Sequence, residues 1–300
     1  MLAQVRAVLQ GIDRVSPTLA GTLALQLFCY PLPNRRLAPD RQTLVSRAGD
    51  VLARGQRADY RIDHRHTLRV YRFDGLPIDG ESPGTAVLVH GWTGAAFNLA
   101  AFVEPLRARG FDVVCFDLPA HGDSSGRMTD ARRCAQAVRR VIRAHGPVSA
   151  LIGHSFGGAA ISFALREGDL FPPQLAPHLR DLRVALIASP NQLSYVTAQF
   201  AGQLGLSAAA QRVYEARLSA RNHISIADAA GNISYGRAGR PLLVVHCRDD
   251  KEIAFSQGEN FTQLGDLVTF HPVSGLGHRR ILYAPEVIER VVDFVDPKAD

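Results

Sequence analysis

The chain has 300 residues, 46% of them hydrophobic and 21% charged, which excludes a disordered or fibrous protein. A chain of this length buries roughly 75% of its unfolded surface, so its core needs neither a metal nor a disulfide. Its formal net charge is +6, but only Lys251 and Lys298 are lysines, and the arginines are scattered without a block of five, so no nucleic-acid-binding tail is implied.

Arg6 and Arg14 precede an uncharged stretch from Val15 to Tyr30. Thr18, Gly21, Thr22 and Gln26 dilute it, it is too short and polar to span a bilayer, and no small-x-small cleavage site precedes Pro31-Leu32-Pro33. It is expected to form a helix packed on the core, within an N-terminal extension of residues 1–57. Asp59–Phe73 alternates like an antiparallel strand, which predicts a hairpin at a sheet edge. His64 and His66 are expected on one face of that strand; without a third ligand they make no metal site.

From Ala86 onward, short apolar runs alternate with helical patterns. The runs Ala86–His90, Val113–Phe116, Ala150–Gly153, Val184–Ala188, Leu242–His246 and Val268–Val273 are mostly continuous, as parallel strands covered on both faces require. Between them, Ala131–His145 carries an apolar stripe of Ala131, Cys134, Val138, Val141 and Ile142, and the last helix repeats the pattern through Val287, Val291 and Val295. The expected fold is a doubly wound, mostly parallel α/β sheet over residues 58–188 and 242–300. About fifty residues separate Ala188 from Leu242, too many for a plain crossover. Leu193, Val196, Phe200 and Leu204 mark one helix there, and Val213, Ala216 and Leu218 a second, so 189–241 is expected to form a cap. Cys29, Cys115, Cys134 and Cys247 show no C-x-x-C spacing, which predicts reduced thiols and a cytoplasmic location.

Gly153-His154-Ser155-Phe156-Gly157 follows a strand and opens a helix, the context that gives G-x-S-x-G its meaning. The serine then stands on a sharp turn, and the helix N-terminus favours developing negative charge. The same pattern occurs around Ser82 and Ser124. Pro83 has no N–H to offer an oxyanion, however, and Ser124 lies in a loop well past its strand, so both read as turns. Ser155 is the candidate nucleophile. In this topology an acid follows, then a histidine. Asp249 and Asp250 leave the strand Leu242–His246, and His278 follows the last strand on a glycine-flanked turn. The backbone N–H groups of Trp92, after His90-Gly91, and of Phe156 are expected to form the oxyanion hole.

These motifs, with Asp117-Leu118-Pro119-Ala120-His121-Gly122-Asp123-Ser124 and Asp250-Lys251-Glu252-Ile253, resemble the α/β-hydrolase superfamily from about Tyr60 to the C-terminus. The Gly275–Leu282 stretch, Gly-Leu-Gly-His-Arg-Arg-Ile-Leu, is similar to that of a bacterial branch of these hydrolases. The resemblance implies an α/β-hydrolase fold with a small helical cap inserted after the sixth strand. It also implies a serine carboxylic-ester hydrolase in which Ser155 attacks, His278 carries the proton and Asp250 orients the imidazole. The family pattern places the acid three residues before an apolar anchor; Ile253 fits Asp250, whereas Asp249 would lead to Glu252. His246-Cys247 departs from the His-Gly common in relatives.

Trp92, Tyr195, Phe200 and Leu204 are expected to line a modest acyl or aryl pocket. The expected partner is a small-molecule ester, with no cofactor, metal, nucleic acid or membrane span, and no oligomeric state is implied. Branches with an aspartate or cysteine nucleophile do not fit Ser155. Acyltransferases, amidases, aminopeptidases and carbon–carbon hydrolases share the triad, and a non-catalytic binding scaffold is the alternative outside enzymes.

Overall fold

The computed structural model describes residues 2–31, 47–64, 66–166 and 173–296. The predicted break at Pro31-Leu32-Pro33 lies partly outside them. Eight strands form one sheet in the order β1-β2-β4-β3-β5-β6-β7-β8. They are β1 (Gln56–Arg61), β2 (Thr67–Phe73), β3 (Thr85–Val89), β4 (Asp112–Phe116), β5 (Val148–His154), β6 (Leu179–Ile187), β7 (Leu242–Cys247) and β8 (Val268–Val273).

β1 and β2 are the expected antiparallel hairpin at one edge, and β2 also runs antiparallel to β4. All the other pairings are parallel. His64 and His66 sit in the β1–β2 turn rather than on a strand, because the ladder ends at the Arg61–Thr67 pair. The His66 ring bonds the Asp63 carboxylate at 2.8 Å. Every residue of β3, β5 and β7 is buried, as continuous apolar strands covered by helices must be.

The principal α-helices are α1 (Leu2–Val15), α2 (Pro17–Phe28), α3 (Val103–Ala108), α4 (Ala131–His145), α5 (Phe156–Ala164), α6 (Leu193–Leu204), α7 (Ala208–Asn222), α8 (Gly231–Ala238), α9 (Phe255–Glu259), α10 (Gly277–Arg280) and α11 (Pro285–Val295). Their ends follow local chemistry. Ser16 caps α2 by accepting from the Leu19 N–H, Asp130 caps α4 through Arg133, and Ser207 caps α7 through Ala210. α6 stops at Gly205, whose φ of 66° suits glycine.

One apolar cluster lies on each face of the sheet: Leu88, Phe102 and Val291 belong to one, Val87, Val138 and Ile161 to the other. A third cluster joins Leu9, Leu25 and Cys29 of the N-terminal region to Leu204, Tyr214 and Leu218 of α6 and α7. α1 and α2 therefore pack chiefly on the inserted helices, at one end of the sheet, because those helices present the apolar stripe that α2 needs to cover. A third inserted helix, α8, lies in a stretch that carries no strong period. Among the described residues, no helix is long and apolar enough to cross a membrane.

Candidate active site

The chain runs from β3 to β4 on one side and returns past β3 to β5 on the other. Connections leaving the C-terminal ends of β3 and β5 thus diverge, and the crevice between them is where open α/β sheets place ligands. Gly91-Trp92 follows β3, and Ser155 follows β5.

Ser155 has φ 52° and ψ −123°, a strained backbone for a residue with a Cβ. The turn closes only because its neighbours lack side chains. A Cβ on Gly157 would lie 2.0 Å from the Val89 carbonyl oxygen, and one on Gly153 would lie 2.7 Å from the Gly158 nitrogen. Phe156 opens α5, so its N–H has no acceptor within the helix. The Trp92 ring stands edge-on to Phe156 at 5.0 Å and to His121 at 5.1 Å.

β7 and β8 bring in the remaining groups. The His278 Nε2 lies 3.0 Å from the Ser155 Oγ, and its Nδ1 lies 2.7 Å from the Asp250 Oδ2. The other carboxylate oxygen of Asp250 accepts the N–H groups of Glu252 and Ile253 at 2.8 and 2.9 Å. Burial acts to raise the Asp250 carboxyl, but the His278 hydrogen bond and charge, with those N–H donors, hold it below its ordinary value. An ionised Asp250 fixes the proton on Nδ1, which leaves Nε2 free to accept the Ser155 proton. Asp249 faces elsewhere: its carboxylate accepts the Gly275 N–H.

His246-Cys247, the departure from the usual pattern, fits this turn. The His246 Nε2 donates to the Ile253 carbonyl at 3.1 Å, and the Cys247 thiol accepts the Gly277 N–H at 3.1 Å. Both bonds tie the Asp250 turn to its surroundings.

Three buried histidines brace the site, and sequence reasoning assigned them no role. His154 donates from Nε2 to the His278 carbonyl at 2.9 Å. His90 donates from Nδ1 to the Gly91 carbonyl and accepts the Leu118 N–H at Nε2, which fixes the loop carrying Trp92. His121 donates to the Pro119 carbonyl at 3.0 Å. Burial keeps all three neutral: it lowers His154 to about 3 and His121 to about 4, and it holds His90 well below its ordinary value, aided by His121. Each lies in a motif already singled out, but only their burial shows the role.

The other two G-x-S-x-G serines are engaged by backbone. The Ser82 Oγ donates to the Gly110 carbonyl at 3.2 Å, and the Ser124 Oγ donates to the Asp117 carbonyl at 2.6 Å. Asp117 accepts the Ala96 and Asp123 N–H groups at 2.7 and 2.8 Å. Burial outweighs those bonds and raises its carboxyl to about 6.

Ser155 and Trp92 border two cavities. One, of about 360 Å³, is lined mostly by apolar groups, including Leu27, Phe28, Phe163, Val196 and Phe200. The other, of about 630 Å³, also borders His278. Of the expected pocket residues, Trp92 and Phe200 line the apolar cavity, and Tyr195 and Leu204 do not. Leu204 is turned into the cluster shared with Leu25 and Tyr214. Tyr195 points toward the Asp250 turn, where its hydroxyl accepts the Ala254 N–H at 3.0 Å. At 3.6 residues per turn, one apolar stripe cannot face both the cavity and the flanking helix. Leu27 and Phe28, from the far end of the sequence, complete the cavity.

Among the described residues, no group of three histidine, cysteine, aspartate or glutamate side chains is placed to hold a metal.

The alpha/beta hydrolase family profile matches residues 86–291. Among solved structures, the chain is similar to Est1E from Butyrivibrio proteoclasticus, a structure with ferulic acid bound, at 16% identity and a TM-score of 0.59, covering 80% of this chain and 96% of that one. It is likewise similar to an esterase from Pyrococcus furiosus, at 18% identity and a TM-score of 0.57, covering 89% and 96% of the two chains. Likenesses at that identity speak for the fold alone. A curated relative, the dihydrolipoyllysine-residue acetyltransferase component of the acetoin cleaving system of Cupriavidus necator, is 29% identical over 183 residues. The match spans 49% of this chain and 49% of that relative's length, so about half of each protein is compared.

Proposed function

Since the chain belongs to the alpha/beta hydrolase family, we propose that it is a serine carboxylic-ester hydrolase acting through an acyl-enzyme on a small to medium acyl or aryl ester. The observation that carries this reading is the hydrogen-bonded line from Asp250 through His278 to Ser155, at 2.7 and 3.0 Å. In it, His278 takes the Ser155 proton as Oγ attacks the ester carbon, and Asp250 stabilises the imidazolium that forms. The N–H groups of Trp92 and Phe156 receive the oxyanion. His278 then returns the proton to the departing alcohol, and a water molecule releases the acid by the same steps.

The esterase likenesses in fold support an ester substrate. Residues 189–241 act as a cap, α1 and α2 of the 1–57 extension brace it, and the protein works in the cytoplasm without a cofactor. A fluorophosphonate probe should label Ser155, and p-nitrophenyl esters should be hydrolysed in the presence of EDTA; a chain that neither labels nor turns over any ester overturns the proposal.

The partial likeness to the acetyltransferase favours one second reading, acyl transfer. An added alcohol or thiol acceptor would then divert most of the acyl group from water, which product analysis reads directly.

A further inference from the structure

Ser155 stands where the two cavities meet, and they differ in chemistry and in which catalytic group they reach. The apolar cavity borders Ser155 but not His278, whereas the larger, more polar one borders both. This difference assigns the two halves of a substrate. When the ester C–O bond breaks, the electron pair stays on the leaving oxygen, which must take the proton that His278 received from Ser155. The leaving alcohol therefore lies on the His278 side, and the acyl chain lies in the apolar cavity.

Among the described residues, this larger cavity carries a surplus of positive charge: Arg127, Arg279 and Arg280 line it against the single carboxylate of Glu252. Arg279 is held by Glu252 in a two-pronged ion pair, its Nε at 2.8 Å. Arg280 donates to the Leu276 and Gly275 carbonyls, so its charge is not neutralised. Arg127 is exposed and makes no side-chain hydrogen bond or ion pair among the described residues. Among the described residues, the apolar cavity has no cation along its wall, and its one carboxylate, Asp130, is spent on the Arg133 N–H and on Arg221. A negative charge on the acyl chain would be buried there unpaired.

We propose that the substrate is an ester of an apolar acyl chain with an alcohol that carries an anionic group, recognised by Arg127 and Arg280. This rests on the ester-hydrolase reading above. The chemistry is shared by phosphate and carboxylate, and the test separates them.

The full-length protein is assayed with four esters: 1-hexanoylglycerol, 1-hexanoylglycerol 3-phosphate, the hexanoyl ester of glycolate, and the glyceryl monoester of adipic acid. The first is neutral, the next two are anionic on the alcohol side, and the last is anionic on the acyl side. At least one alcohol-side anion should exceed the neutral ester by roughly tenfold in kcat/KM, and the adipate monoester should fall below it. The better of the two names the anion. Arg127→Gln should lower the anionic-to-neutral ratio by about fivefold, and high salt should lower it as well. Fluorophosphonate labelling of Ser155 is measured in parallel. Labelling with no charge preference, with a preference for the adipate monoester, or with no turnover of these esters overturns this assignment alone. Absence of both labelling and turnover overturns the ester-hydrolase reading with it.

Discussion

At the scale of single residues, what separates three identical motifs is where each serine oxygen is spent. Ser82 and Ser124 are bonded to backbone carbonyls, whereas the Ser155 Oγ meets an imidazole. Ser155→Ala should therefore abolish phosphonate labelling and ester hydrolysis, while Ser82→Ala and Ser124→Ala keep the label; labelling that persists in Ser155→Ala refutes the assignment. The two adjacent aspartates are separated in the same way. Asp250 holds the His278 Nδ1, and Asp249 holds the Gly275 N–H. Asparagine at the orienting acid keeps the shape but favours the wrong tautomer, so Asp250→Asn should lose at least about 10³ in kcat, and Asp249→Asn less than about tenfold. Measured kcat values of the two folded variants decide between them.

At the scale of elements, the strand–turn–helix from β5 to α5 depends on how closely α5 can approach β3. A Cβ on Gly157 would lie 2.0 Å from backbone, which cannot give way as a flexible side chain can. Gly157→Ala should unfold the protein or lower its stability by about 3 kcal/mol or more. Gly202, on the exposed side of α6, has nothing within 4 Å of its would-be Cβ. There alanine should stabilise by roughly 0.5–1 kcal/mol, through helix propensity. Urea unfolding of both variants checks the contrast, and equal effects would contradict this account of the turn. α2 is a second case. Phe28 stacks on Trp92 at 6.3 Å and meets Phe200 edge-on at 5.1 Å, so it forms part of the apolar cavity wall. Phe28→Ala should shift the preferred p-nitrophenyl ester toward longer acyl chains, and an unchanged chain-length profile would remove α2 from the pocket.

At the scale of the whole molecule, the buried titratable groups set how stability responds to acid. His90, His121 and His154 are held neutral in the fold by burial, below the ordinary histidine value. As pH falls below about 6.5, the unfolded chain gains three protons that the folded one refuses, so stability is lost. Asp117 acts the other way. Burial raises it to about 6, so between roughly pH 6 and 4 the folded state takes up a proton before the unfolded one does. His145, His246 and His271, which burial also lowers, act like the first three, so the balance over that window favours unfolding. Asp250 adds its own loss only at lower pH, because its carboxyl is held below its ordinary value. Unfolding free energies between pH 7.5 and 4.5 test this, and a flat profile would show that the histidines take up protons while folded.

What the sequence by itself determined was local or ordinal. Continuous apolar runs marked six of the strands, and five of them extend by at most two residues on either side; only β6 begins well before its run, because Leu179 and Arg183 pair with β5 on either side of a bulge, without a continuous apolar signal. The place of Ser155 followed from strand–turn–helix context, and the order of acid and histidine from the topology. The choice of Asp250 over Asp249 rested instead on the family resemblance, which places an apolar anchor three residues after the acid; Asp250 accepts the N–H of that residue, Ile253. Tertiary structure decided everything that depends on which faces meet. Leu27 and Phe28 line the same cavity as Ser155 across more than a hundred intervening residues, and no local period records that. Tyr195 and Leu204 share a helix with Phe200 but leave it at other angles, and only the packing of α6 against α2 and the Asp250 turn fixes which angle faces the cavity. The roles of His90, His121 and His154 are likewise tertiary, because a histidine becomes a buried neutral hydrogen-bonding post only once a fold has closed around it.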